Sequence, residues 1–332
     1  MAHYTRRNIL QALGAVTLVT ASSGVTSLAF AGARDISKET RCTMDTLVTI
    51  EVRHSSYDLR MQGIEQAFQA IADALPLFDR YNTNSAIALL NTTGKITSPP
   101  QELTSLLRFS KQLAYETRNI FNPTVQPLVD YFLQEKEYTK AGYNKARSLV
   151  HTMDAVTISD SVISFQHQGM GITLDGIAKG YIIDIAGNAL TTLGIEHYMI
   201  NAGGDIVVKG EPSEGKAWTI GIQSPLHKGR NIHTVALRNS AIATSGGYER
   251  YNKNHTQYTH LVNPHTGQSP QRIRSVSVVA PHAVLADALA TSLSIMQPQY
   301  ALRFIAQYPN TACYIVTDTD VLTSTLWHRL TV

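Results

Sequence analysis

The sequence predicts an α+β fold with mainly antiparallel strands and packed helices. Three observations carry this expectation: helical spacing gathers toward the two ends of the chain, short alternating segments crowd its middle, and the regular strand–helix–strand repeat of a parallel sheet is missing. No proline-rich, glycine-serine or charge-block linker interrupts the chain after residue 31, and it has no internal repeat. The remainder, about 300 residues, is long enough for one large domain or two intimately packed lobes.

Taken in order, residues 1–31 read as an export signal. Arg6-Arg7 precede a modestly apolar run from Ile9 to Ala21, and Ala29-Phe30-Ala31 closes the segment as a cleavage site would. Thr5-Arg-Arg-Asn-Ile-Leu10 is similar to a twin-arginine signal, which implies a periplasmic destination, with membrane association left open. The run is too short and threonine-rich to span a bilayer, which takes about 20 mostly apolar residues, although a retained anchor is the alternative. Residues 32–332 are the expected mature domain.

Thr46 to Val52 alternates like a half-buried strand, and Tyr57 to Leu77 places Leu59, Ile64, Phe68, Ile71 and Leu75 at helical spacing. A helix is expected from Gln101 to Glu116, then strands at Ala155–Ile158 and Val162–Phe165. A helix begins within the stretch 174–181, with Tyr181, Ile185 and Ala189 on one apolar stripe and Ile182, Ala186 and Leu193 beside it. Strands follow near His197–Ile200, Ile206–Lys209, Trp218–Ile222, Ile232–Leu237, Tyr258–Val262 and Val276–Ala280. Helices at Ala283–Met296 and Gln299–Gln307 precede a strand at Ala312–Val316.

Lys and Arg total 28 against 25 Asp and Glu, a balance too even to imply nucleic acid or an acidic membrane surface. Small ligands are the better expectation. Cys42 and Cys313 are too few for a disulfide scaffold or a thiolate metal site, and two isolated thiols are the default reading.

The most informative stretch is Leu174-Asp-Gly-Ile-Ala-Lys-Gly-Tyr181, which puts small residues and a lysine where an amphipathic helix begins. Such a turn can grip a phosphate, because glycine admits close approach, the first helical N–H groups lack intrahelical partners, and the dipole favours negative charge. A plain tight turn is the competing account, and the stretch fits neither the dinucleotide nor the P-loop pattern. Four further segments carry polar or glycine residues that a plain core does not need: Asn201-Ala-Gly-Gly-Asp205, Ala243-Thr-Ser-Gly-Gly-Tyr248, His260-Leu-Val-Asn-Pro-His-Thr-Gly267 and Ala286-Asp-Ala-Leu-Ala-Thr291. With Met44-Asp-Thr46, Phe78-Asp-Arg-Tyr81, Ser85, Phe121-Asn-Pro-Thr-Val125 and Pro127-Leu128, their order and spacing resemble the ApbE family of flavin transferases over roughly residues 44 to 296.

The resemblance implies an ApbE-like fold with a ligand cleft between two packed lobes, and transfer of FMN from FAD onto a threonine of an acceptor protein. In the segment after Ala283, Leu285, Leu289, Leu293 and Met296 form an apolar stripe, while Asp287 and Thr291, four apart, share another face. On the residues alone, Asp287 as a first-turn helix stabiliser and Thr291 as a packing residue are the favoured reading. The resemblance makes them the ligands of Mg²⁺, completed by a backbone carbonyl at Gly176 or Ala178 and by substrate phosphates, an all-oxygen set suited to that ion. It places Lys179 beside the diphosphate, with a solvated surface lysine as the alternative.

The same resemblance assigns flavin-nucleotide contacts to Met44, Tyr81, Ile120, Phe121, Asn122, Thr173, Asp175, Thr244, Ser245, Gly246, His260 and Leu261, with His260 as general base. His265 reads as a turn or phosphate-facing residue. Three departures stand out: Thr173-Leu-Asp-Gly176 where family members often show an aspartate, a leucine and two glycines, Asn122 where aspartate is common, and Asp45 where glycine is frequent. The implied partners are FAD and an exported or membrane-anchored flavoprotein or redox-complex subunit with an exposed threonine. Hydrolysis of FAD to FMN and AMP, or flavin carriage without catalysis, are the alternatives that sequence leaves open.

Overall fold

The fold starts from a hairpin whose turn only two left-handed residues can make. In the computed structural model, which describes residues 35–135, 138–227, 229–248, 251–252 and 257–331, β1 (Ile36–Thr43) and β2 (Thr46–Arg53) pair antiparallel in full register. Met44 and Asp45 both take φ of 57°. Such a two-residue turn matches the strand twist and favours glycine or aspartate, so Asp45 fits where glycine is frequent. Residues 1–31, with the expected signal, lie outside the described residues.

The main sheet runs in the order β1, β2, β6 (His197–Ala202), β7 (Asp205–Lys209), β10 (Ser240–Ser245), β11 (Ile273–Ala280), β12 (Ala312–Thr317) and β13 (Val321–Thr323), and every neighbouring pair is antiparallel. Alternation of side chains buries both of its faces. Ala241, Ala243, Val276, Val278, Cys313 and Ile315 face one core, whereas Ile242, Val279, Ala312 and Tyr314 face the other. The second core is closed by the hairpin β8 (Trp218–Gln223) and β9 (Asn231–Leu237), with Trp327 fully buried in it.

Over the first face lie three helices: α1 (Tyr57–Phe78) packs on α6 (Ala178–Thr192), which packs on α7 (Ala283–Ile295), and α7 rests on β10 and β11. Gly180 explains how close α6 and α7 come, since a Cβ there would fall on the Ala283 carbonyl. The deepest face of α6 is Gly180, Ile183, Gly187 and Leu190 with Ile182 and Ala186, while Tyr181, Ile185 and Ala189 are only half-buried. The expected stripe is therefore rotated, because glycine at 180 and 187 turns those positions into the contact seam. Helix α7 is buried on almost every side, Leu285 being half-buried and Leu289 and Leu293 wholly so.

The other lobe holds α2 (Ala86–Thr93), α3 (Gln101–Glu116), α4 (Gln126–Gln134), α5 (Lys140–Ser148) and a three-stranded sheet β3 (Lys95–Thr97), β5 (Val162–Phe165), β4 (Val156–Ile158). Ile87, Leu103 and Ile163 belong to the same core as Ile50 and Val276, so the lobes share one interior. Ser85 caps α2 by accepting from the Ala88 N–H at 2.9 Å, and Gly94 in the left-handed region ends it. Helix α8 (Pro298–Ile305) matches the last expected helix.

Tyr258–Val262 is not a strand. Among the described residues it makes an isolated bridge from Thr259 to Tyr251, because the Leu261 N–H donates to Thr259 Oγ1 at 3.2 Å and the Thr259 N–H donates to Ser269 Oγ at 2.9 Å. These local bonds occupy the backbone that a ladder would use. Cys42 is exposed, Cys313 is buried, and both are free thiols; burial pushes the Cys313 thiol up to about 12. Among the described residues no helix is long and apolar enough to cross a membrane.

Candidate active site

The turn before α6 is built around one carbonyl. Leu174 O accepts from the Ile177 N–H at 3.0 Å and the Ala178 N–H at 2.8 Å. Neither α6 nor α7 has a side-chain cap of its own, and each is capped by the other. Asp287 Oδ2 accepts from the Gly180 N–H at 3.0 Å, while the two carboxylate oxygens of Asp184 accept from Ala283 N and Val284 N at 2.9 Å each. Burial raises the Asp184 pKa, opposed by these two backbone bonds.

This exchange corrects two expectations. Asp287 is the fifth residue of its helix and stabilises the first turn of the neighbouring one, not its own. The N–H groups of Ala178 and Gly180 are occupied, so they are not a ready phosphate cradle. Charge at this end of the cleft comes instead from Lys179, whose Nζ lies 2.9 Å from Asp205 Oδ2. Asp205 is buried, and its other carboxylate oxygen accepts from Thr244 N at 3.2 Å. The Lys179 side chain also lines the cleft, so its charge faces a ligand bound there.

One turn beyond Asp287, Thr291 Oγ1 donates to the Gly176 carbonyl at 3.3 Å and lies 3.3 Å from Ser245 Oγ. Glycine is needed at 176 because a Cβ would sit 2.8 Å from the Thr291 hydroxyl and methyl. A carboxylate only 4 % exposed and a hydroxyl from α7, with a carbonyl from the turn before α6, thus line one cleft, all hard oxygen donors with no nitrogen or sulfur among them. That donor chemistry fits Mg²⁺, which keeps further positions for water and phosphate oxygens.

These groups line a cleft that opens to solvent. Of the residues expected from the sequence, the cleft gathers Ile120, Phe121, Asn122, Thr173, Asp175, Gly176, Lys179, Thr244, Ser245, His260, Leu261, Asp287 and Thr291. Met44, Tyr81, Ala178 and Gly246 are not in its lining. Met44 is packed against the main core and Tyr81 is 56 % exposed. His265 borders a second cavity, which shares Asn122 with the cleft, and its Nε2 lies 2.8 Å from the Arg118 carbonyl.

Asn122 shows why asparagine suits its place. Its Nδ2 donates to the His151 carbonyl at 2.7 Å, which a carboxylate could not do, and its Oδ1 accepts from Thr124 N and Oγ1 at 3.0 and 2.9 Å. The residue therefore shapes the wall as the cap of a short 3₁₀ turn. Sequence reasoning missed Asp205, Asp184 and Arg80. The Gly203-Gly204 pair pointed to the first; Asp184 acts on backbone about 100 residues away, and Arg80, although inside the Phe78-Asp-Arg-Tyr81 block, acts on Asp130 and Asp175, 50 and 95 residues away.

Comparison with known proteins agrees with this architecture. The ApbE family profile matches residues 44–315, and the chain belongs to that family. It is 27% identical over 273 residues to the FAD:protein FMN transferase of Haemophilus influenzae, covering 77% of this chain and 78% of that protein. A 154-residue stretch is 34% identical to the enzyme of that name from Vibrio cholerae, covering 46% of each chain. In fold it is similar to the ApbE protein of Thermotoga maritima, with a TM-score of 0.81 at 23% identity over 90% of this chain and 99% of that one.

Proposed function

We propose that the protein is an FAD:protein FMN transferase that moves FMN from FAD to a threonine hydroxyl of an acceptor protein and releases AMP. The observation that carries this reading is the meeting, in one cleft, of Lys179, the Asp287–Thr291–Gly176 oxygens and His260, in a chain of the ApbE family. Asp287, Thr291 and the Gly176 carbonyl would hold Mg²⁺, which when bound supplies charge neutralisation at the diphosphate. Lys179 adds a second positive charge there, at the expense of part of its pairing with Asp205. Phe121 and Leu261 give the cleft apolar walls for the nucleotide.

The acceptor hydroxyl attacks the phosphorus on the FMN side, the bond to the AMP phosphate oxygen breaks, and His260 takes the hydroxyl proton. FMN stays on the threonine as a phosphoester, and AMP carries away the bridging oxygen. Positioning and electrostatics suffice for such a step, because the protein itself forms no bond. We further propose that residues 1–31 direct export, so the acceptor is an exported or membrane-anchored redox protein.

The test incubates purified protein with FAD, Mg²⁺ and a candidate acceptor flavoprotein, and reads acceptor mass and AMP together. Acceptor mass gained by one FMN, matched by AMP, supports transfer. AMP without any mass gain across a panel of acceptors would replace the proposal with hydrolysis, and intact FAD would leave a carrier.

A further inference from the structure

Between α1 and α2, outside the cleft lining, sits a guanidinium that is almost fully enclosed. The Arg80 side chain is 4 % exposed, its Nη1 lies 2.6 Å from Asp130 Oδ1, and its Nε lies 3.4 Å from Asp175 Oδ2. Nη2 donates to the Tyr81 hydroxyl at 2.6 Å, and the guanidinium carbon stands 4.4 Å from the centroid of the Tyr81 ring. Asp130 is itself held by Gln126, on the same helix α4. One side chain therefore ties three elements together: the segment after α1, helix α4 and the turn before α6.

We propose that Arg80 is a positioning residue for the flavin end of the substrate, an inference that rests on the flavin reading of the cleft. Two physical effects separate at this group. Its planar fork fixes the Tyr81 ring from one side while the ring remains 56 % exposed, and a tyrosine held rigid offers a flat aromatic ligand a platform whose ordering cost is already met. Its charge is shared between Asp130 and Asp175, and so offsets part of the charge of Asp175, the carboxylate that this chain carries in the cleft wall directly before Gly176. Without that compensation the turn would present a negative charge to an incoming diphosphate. A lysine could supply the charge but not the planar, stacked fork that reaches Asp130, Asp175 and the Tyr81 hydroxyl at once.

The experiment measures binding by the full chain in Mg²⁺, using quenching of FAD fluorescence and calorimetry with ADP, which has the diphosphate but no flavin ring. Arg80→Lys should raise the Kd for FAD about tenfold, an amount that one aromatic contact can supply, and leave the Kd for ADP within about twofold. Arg80→Gln should weaken both ligands, and Arg80→Gln combined with Asp175→Asn should restore ADP alone. An unchanged FAD titration in Arg80→Lys overturns the inference, as does equal loss of FAD and ADP, which would mean general damage. Wild-type protein that binds ADP but not FAD would overturn the flavin reading and this inference with it.

Discussion

At the scale of single residues, Lys179 and Asp205 show how one pair can serve both stability and ligand binding. Asp205 is buried, whereas Lys179 reaches it from a partly exposed position at 2.9 Å. Lys179→Ala leaves that carboxylate without its cation and should cost about 2 kcal/mol of stability, below the 3–5 kcal/mol of a fully buried pair because solvent reaches the ammonium. Adding Asp205→Asn should return most of the lost Tm but none of the lost FAD affinity. Parallel recovery of both would mean that Lys179 acts only through Asp205. The residues legible in advance, Asp287, Thr291, Lys179 and His260, were those with small or polar neighbours in motif order. Arg80 stood in a quoted block but its role was not legible, because that role lies in Asp130 and Asp175, which sequence does not place beside it.

At the scale of elements, the reciprocal capping of α6 and α7 makes the metal-ligand candidate a structural part as well. Asp287→Asn keeps an acceptor for the Gly180 N–H, so thermal stability should stay within about 1 kcal/mol while Mg²⁺-dependent transfer falls at least a hundredfold. Substantial activity in that variant would place the metal elsewhere. Gly180→Ala should destabilise by more than about 2 kcal/mol and disable the site together, since its methyl would collide with backbone that cannot yield. A Tm unchanged by that methyl would disprove the seam.

Asp184 gives this helix pair a pH dependence. Its folded pKa is raised above 3.8, so the folded state holds the proton more tightly than the unfolded one. Stability from this group is complete below pH 3.8 and is lost as pH rises through the raised value. In Asp184→Asn the fall of stability over that window should flatten, as read by denaturant unfolding at successive pH values. An unaltered slope would assign the effect to another group. Strands with clean alternation, such as β2 and β8, and long amphipathic helices, such as α1 and α3, were legible because one periodicity dominates each. Helix α2 is only eight residues long, and β10 ends in Ala-Thr-Ser, which reads as a turn until its neighbours β7 and β11 are known.

At the scale of the molecule, two lobes share one core, and the cleft is assembled where the turn before α6, helix α7, strand β10 and the segment around His260 converge. No short stretch contains the site, which is why the order of several weak blocks carried more information than any one of them. The central claim is that a divalent ion and the diphosphate of a flavin nucleotide meet in this cleft. Anomalous diffraction from crystals grown with FAD and Mn²⁺ tests it most directly. One peak is expected about 2.0–2.3 Å from Asp287 Oδ, Thr291 Oγ1, the Gly176 carbonyl and a phosphate oxygen. FAD density in the cleft with the peak elsewhere, or with no peak at all, would contradict it.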